Sequence, residues 1–247
     1  MGFGYDEAGN LTRFTDARDH ETEYTYDEKH RLIEVLDAAG NRTQYAYDDA
    51  SNLVSILDGN GHETRYEYDS RDRRTAMIDA EGYRTQFRYD LNNNLVAIID
   101  PQGHQTAFSY DARDRLITQT DAYGETTHYT YDATNNLIGV TNRRGHETTY
   151  AYDELNRLTQ MTDALDGISA FGYDKVGNLT STLDERTNPT NFQYDARNRL
   201  VRMTNALGDF TQYSYDGVGN QLSFTDEENR QTDYTYDALN RLVAIDA

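Results

Sequence analysis

Cysteine is absent from the chain, which excludes disulfides, zinc-thiolate sites and a thiol nucleophile. Tryptophan is absent too, and proline occurs only as Pro101 and Pro189. Basic residues are few, 23 Lys and Arg against 43 Asp and Glu, for a formal net charge of −20. That balance excludes a nucleic-acid surface built to neutralise phosphate. Long apolar runs are missing: the longest, Leu95 to Ile99, falls far short of the ~20 residues of a membrane span. The opening residues Met1 to Asp6 show no signal peptide. Against these gaps stand 21 tyrosines and 17 glycines in 247 residues.

The tyrosines are periodic. Tyr-Asp occurs at Tyr5, Tyr26, Tyr47 and onward to Tyr236, always 21 residues apart, which divides residues 1–247 into twelve repeats read as a single array. Offsets are counted here from that Tyr. Offset −2 is aromatic in every repeat, offset −4 is Thr ten times, offset +6 is Leu ten times, and offset +11 is Asp nine times. A second period overlies the first. Offset +5 alternates without a break, from Asn10 and Arg31 to Asn220 and Arg241, so the full period is 42 residues.

No apolar stripe recurs at helical spacing, and the segments between turn signals are about seven residues long. Thr22, Tyr24 and Tyr26 share a parity, with polar Glu23 and Thr25 between them, which reads as a strand with one wet face. The stretch Leu32 to Leu36 reads as the return strand. A four-residue loop, Asp27 to His30, sets Arg31 opposite Tyr26 and therefore Tyr24 opposite Ile33. The other turn, Ala38 to Gly40, reads as a three-residue loop closed by a positive-φ glycine. Both registers place an aromatic against a branched aliphatic, pairs worth roughly 0.2–1 kcal/mol each. They also set Tyr47 between Arg31 and Asn52, as a structural ladder or as a polar strip that grips sugar or peptide. Leu at offset +6 is expected on the non-aromatic face.

The Asp at offsets +1 and +11 account for 21 of the 43 acids, and so for nearly all of the excess charge. Such residues accept backbone N–H groups within their own turns. Calcium binding competes, but neither a β-roll nonapeptide nor an EF-hand loop is present. His20, His62, His104 and His146 fall 42 residues apart, which puts four strands, ~19 Å, between neighbours. Zinc ligands must meet within ~2.3 Å of the ion, so these read as exposed turn histidines and no metal or other cofactor is expected. Phosphate loops, metalloprotease motifs and nucleophile elbows are all absent. Sequons at Asn10, Asn41 and Asn178 carry no weight without a secretory route.

Twenty-four strands at ~4.8 Å make a sheet roughly 115 Å wide, with an aromatic-aliphatic face on the order of 2,700 Å². Soluble monomers expose apolar patches of only ~300–600 Å². The face therefore has to be covered, either by closure into a hollow barrel or spiral roughly 35 Å across or by a two-layer sandwich ~10 Å thick with a dry core. The residues of that face are the candidate binding row: Tyr24, Tyr45, Tyr66, Phe87, Phe108, Tyr129, Tyr150, Phe171, Phe192, Tyr213 and Tyr234. The chain starts and stops inside a strand, so open sheet edges are expected to join neighbouring segments or copies.

Segments such as Tyr110-Asp111-Ala112-Arg113-Asp114-Arg115-Leu116 and Gly177-Asn178-Leu179 resemble the Tyr-Asp repeats of Rhs proteins, and Asp100-Pro101-Gln102-Gly103 resembles that family's Asp-Pro-x-Gly turn. Similar repeats occur in bacterial Rhs polymorphic toxins, in the B and C components of Tc toxins and in animal teneurins. The resemblance implies an all-β fold in which hairpins spiral into a hollow shell around a toxin polypeptide or form an adhesion-receptor wall. It further implies a secreted or cell-surface protein. The invariant repeat length departs from the family habit, and the Asp-Pro-x-Gly-Leu autocleavage motif is absent, so self-cleavage, toxicity and a separate toxin domain are not carried over. The expected role is structural and non-enzymatic, as a shell segment; the alternative is a carbohydrate-binding or adhesion module using the Tyr rows.

Overall fold

The computed structural model describes residues 1–246; Ala247, read above as ending a strand, lies outside the described residues. Each 21-residue period forms one six-residue and one five-residue strand, as in β3 (Glu21–Tyr26) and β4 (Leu32–Leu36). The only shorter first strand is β1 (Gly2–Tyr5). The chain divides into two compact units, Met1–Gly124 and Glu125–Ala247. The first holds β1 to β12 (Leu116–Thr120), and the second holds β13 (Thr126–Tyr131) to β24 (Leu242–Asp246). Within each unit the strands form a meander in which every described pairing is antiparallel and joins sequence neighbours. All Tyr-Asp turns of a unit therefore lie on one rim of its sheet, and all offset +11 turns on the other.

The two rims use the same turn. At the second, Asp37 N–H donates to the Asn41 carbonyl and Gly40 N–H to the Asp37 carbonyl, both at 3.0 Å, as the three-residue loop requires. The register from that turn holds, with Leu36 opposite Arg42 and Val35 opposite Thr43. The Tyr-Asp turn departs from its expected four-residue form. Asp27 N–H donates to the Arg31 carbonyl at 3.0 Å and His30 N–H to the Asp27 carbonyl at 2.9 Å, so the loop is again three residues, Glu28 to His30. The closing residue takes positive φ on both rims: 57° to 114° at offset +4 and 59° to 91° at offset +14.

A β-bulge then shifts the register further. Tyr26 pairs with Leu32 but Thr25 with Glu34, so Ile33 is the inserted residue and Tyr24 meets Val35 rather than Ile33. The same irregularity sits at the Tyr of all twelve hairpins. The shorter loop and the bulge each move the pairing by one, for a total of two. An even shift preserves parity, so aromatic still faces aliphatic. The bulge also turns offset +6 toward the ring side, contrary to the expectation above, as bulges re-aim side chains. Arg74, which replaces Leu at that offset, confirms the direction: its guanidinium carbon stands 4.3 Å from the centre of the Tyr66 ring.

The sheets have almost no dry interior. Among the described residues the only buried apolar side chains are Ala76 and Ala97, at 0% and 4% exposure, and no large side chain is fully buried. Within each unit the strands meet only their sequence neighbours, and no dry core between two layers forms among the described residues. Ala76 is covered by an ion pair on its own face. It lies between Glu67 and Gln86 in the register, and Glu67 of β7 (Glu63–Tyr68) meets Arg84 of β9 (Arg84–Tyr89) at 2.6 Å across it.

Candidate functional site

The ring-bearing face carries a continuous row in each unit. Tyr24 opposes Val35, Tyr45 opposes Ile56, Tyr66 opposes Met77 and Phe87 opposes Ile98; Phe108 opposes Gln119. In the second unit Tyr129 opposes Val140, Tyr150 opposes Met161, Phe171 opposes Thr182, Phe192 opposes Met203, Tyr213 opposes Phe224 and Tyr234 opposes Ile245. The row is aromatic-aliphatic except at Gln119, Thr182 and Phe224. Every one of these rings is half-buried. Tilted ring pairs mark two hairpins, Phe3–Phe14 at 5.2 Å and Tyr213–Phe224 at 5.3 Å. The eleven predicted residues are thus brought onto one face, as two rows rather than a pocket.

Tyr at offset 0 does something a phenylalanine cannot. The ladder between β4 and β5 (Arg42–Tyr47) runs from Leu36–Arg42 to Glu34–Gln44, short of Leu32. The Leu32 carbonyl is instead taken by the Tyr47 hydroxyl at 2.9 Å. Tyr26, Tyr68, Tyr110 and Tyr194 make the same bond to the residue fifteen places earlier. A carbonyl left over by the ladder is thereby satisfied. Burial pushes the Tyr26, Tyr110 and Tyr194 phenols above their ordinary pKa, which keeps them protonated donors.

The turn aspartates act as caps. Asp27 Oδ1 accepts the N–H groups of Lys29 and Arg31, both at 2.9 Å, and Oδ2 takes Arg31 Nε at 2.7 Å. Asp6 is capped equivalently by Asn10, through its N–H and its Nδ2, both at 2.8 Å. Side-chain hydrogen bonds from Arg73 and Arg115 hold Asp69 and Asp111 at about 2. The 42-residue period has its cause on this rim. Each Asn reaches the closing residue of the next loop, as Asn52 Nδ2 does to Asp72 Oδ1 at 2.9 Å and Asn178 Nδ2 to Asn198 Oδ1 at 3.0 Å. Arg31, Arg73, Arg157 and Arg199 reach the next loop's Asp carbonyl, as Arg157 does to Asp174 at 3.0 Å and Arg199 to Asp216 at 2.9 Å.

The Arg also lies over the next Tyr, with Arg31 4.6 Å from the centre of the Tyr47 ring. Asn52, by contrast, spends its amide on Asp48 and Asp72, so Tyr47 is gripped from the Arg side by a stacked cation. On the other rim His20, His62 and His104 rest on Asp16, Asp58 and Asp100, at 3.1, 3.1 and 2.8 Å. Among the described residues no group of three or more His, Asp or Glu converges as metal ligands would.

Tyr-Asp turns, hydroxyl clamps and ring rows repeat over the whole chain, and the sequence matches the Teneurin YD-shell family over residues 1–110 and again over 102–247. The chain belongs to this family. Its repeats are those of a structural shell domain. Among curated proteins none matches. Solved structures with similarity include the TcdB2-TccC3-Cdc42 complex, at 14% identity and TM-score 0.38, with 98% of this chain and 21% of that one covered. The Photorhabdus luminescens Tc holotoxin pore gives 15% identity and TM-score 0.37, with the same coverage of 98% and 21%. A porin-like protein from Bacteroides uniformis gives 12% identity and TM-score 0.33, over 78% of this chain and 92% of that one. The YD-shell chain spans about a fifth of the first two, as the 21% coverage states.

Proposed function

We propose that this YD-shell chain is a wall segment of an encapsulating shell, with its ring rows turned toward an enclosed polypeptide. The observation that carries the reading is the combination of a one-layer sheet in each unit with a half-exposed aromatic row on one face only. An open apolar face of that extent needs a partner or an enclosed space. The opposite face is finished with ion pairs such as Arg42–Glu34 at 2.6 Å and Arg84–Glu67 at 2.6 Å, as suits solvent. The role is structural rather than catalytic, the partners are neighbouring shell segments and a toxin-type cargo, and the setting is outside the producing cell.

A photo-crosslinking amino acid placed at Tyr45, on the ring row, and at Glu23, on the other face, tests this in the full-length protein that carries the segment. The Tyr45 probe is expected to capture polypeptide from the same molecule while the Glu23 probe does not. Equal capture from both faces contradicts encapsulation. Glycan binding that is lost on Tyr45→Ala, with no polypeptide captured, replaces it with a carbohydrate-binding role.

A further inference from the structure

The third residue of each Tyr-Asp turn, at offset +3, caps the turn through its backbone N–H, while its side chain differs from turn to turn: the Arg71 and Asn92 side chains hydrogen-bond to the next loop, and the aliphatic ones offer the fold no polar group. Leu155 and Leu239 donate their N–H groups to Asp153 Oδ1 and Asp237 Oδ1, both at 2.9 Å, and both residues are largely exposed. Lys29 and Arg71 do the same with Asp27 and Asp69 at 2.9 Å. Turn geometry therefore accepts a cation or an aliphatic alike. In the first unit the tips are Ala8, Lys29, Ala50, Arg71, Asn92 and Arg113. In the second, five consecutive tips read Leu155, Val176, Arg197, Val218 and Leu239, and the four aliphatics are 68%, 72%, 74% and 70% exposed.

That series is a palindrome at a spacing of two strands, ~10 Å per step. We propose that this rim is the self-complementary contact of a two-fold dimer of the chain. An isologous interface brings one patch against itself in reverse order. With the axis beside Arg197 and normal to the sheet, Leu155 meets Leu239 of the second copy and Val176 meets its Val218. The neighbouring tip residues do not oppose like charges: Glu154 falls opposite Ala238 and Lys175 opposite Gly217. Arg197 is held off the axis because its Nη1 donates to the Gly217 carbonyl of its own chain. Four aliphatic tips per copy make a small contact, near the lower limit of about 1,000 Å² in total for specific interfaces, and so a weak, concentration-dependent equilibrium. The cationic rim of the first unit has no such pattern.

The absence of cysteine permits a direct test by mild oxidation of introduced thiols in the full chain. The double variant Leu155→Cys with Leu239→Cys is expected to form a covalent dimer, and Leu155→Cys alone is not. Sedimentation of the unmodified chain is expected to show a monomer–dimer equilibrium weakened at least tenfold by Val176→Asp and unchanged by Lys29→Glu, with circular dichroism unaltered in both. A chain that stays monomeric at every concentration overturns the proposal. So does self-crosslinking of Leu155→Cys alone, or an association that Val176→Asp leaves intact.

Discussion

The two units, Met1–Gly124 and Glu125–Ala247, run the same 21-residue program on different side chains. Offset +10 on the charged face is Leu36, Leu57, Ile78 and Ile99 in the first, with Thr15 and Thr120 at its two ends, and Thr141, Thr162, Thr204 and Thr225 in the second, beside Leu183 and Asp246. Two residues earlier, at offset +8, the first unit has buried Ala76 and Ala97, while the second has Gln160 and Arg202 as well as buried Gly139. Yet Tyr at offset 0, its bulge and the positive-φ loop residue are common to both. Rims and hydroxyl clamps thus define the wall, and the surfaces between them are free to vary with what each unit meets.

Acid is the broadest challenge to that equivalence. The folded state holds Asp69 and Asp111 at about 2, below the ordinary 3.8, so their contribution is present above about pH 4 and disappears as pH falls toward 2. Arg157 and Arg199 hydrogen bonds lower Asp153 and Asp195 in the same direction in the second unit. Tyrosine near-ultraviolet circular dichroism is therefore expected to show one acid transition. Two separated transitions break the equivalence.

Smaller effects sharpen it. Ala76→Gln, which copies the second unit's Gln160, is expected to cost about 1–3 kcal/mol because the longer chain must displace the Glu67–Arg84 pair above it. The reverse change, Gln160→Ala on the exposed surface, is expected to stay within about 0.5 kcal/mol. Urea denaturation measures both, and equal costs contradict the difference drawn between the two faces. Tyr68→Phe and Tyr152→Phe each remove one hydroxyl bond, 2.8 and 2.9 Å long, and are expected to lose about 1 kcal/mol alike. Thr187 sits at φ 64°, where its neighbours along the rim are mostly glycine. Thr187→Gly is expected to raise stability by roughly 1 kcal/mol, read as a higher melting temperature; a lower one contradicts the strain.

Strand identity, the offset +11 turn and the single aromatic face were legible in the spacing. The Tyr-Asp turn was misjudged although its signal was present: offset +4 reads Gly9, His30, Ser51, Asp72, Asn93 and so on, a series rich in residues that tolerate positive φ. The bulge left a fainter trace. Offset −2 accepts Phe or Tyr, while offset 0 is always Tyr, and only a required hydroxyl explains that restriction. The relay of Asn and Arg along the rim was visible as alternation, but its targets depend on which loop lies beside which, and that is a property of the folded sheet.

In each unit the rings lie on one open face of a single sheet. A cryo-electron density map of the full chain is the decisive measurement. Sheet density one layer thick is expected, with unfilled space on the side of Tyr24 and Tyr45. A second sheet packed ~10 Å away against those rings, enclosing a dry core, contradicts it.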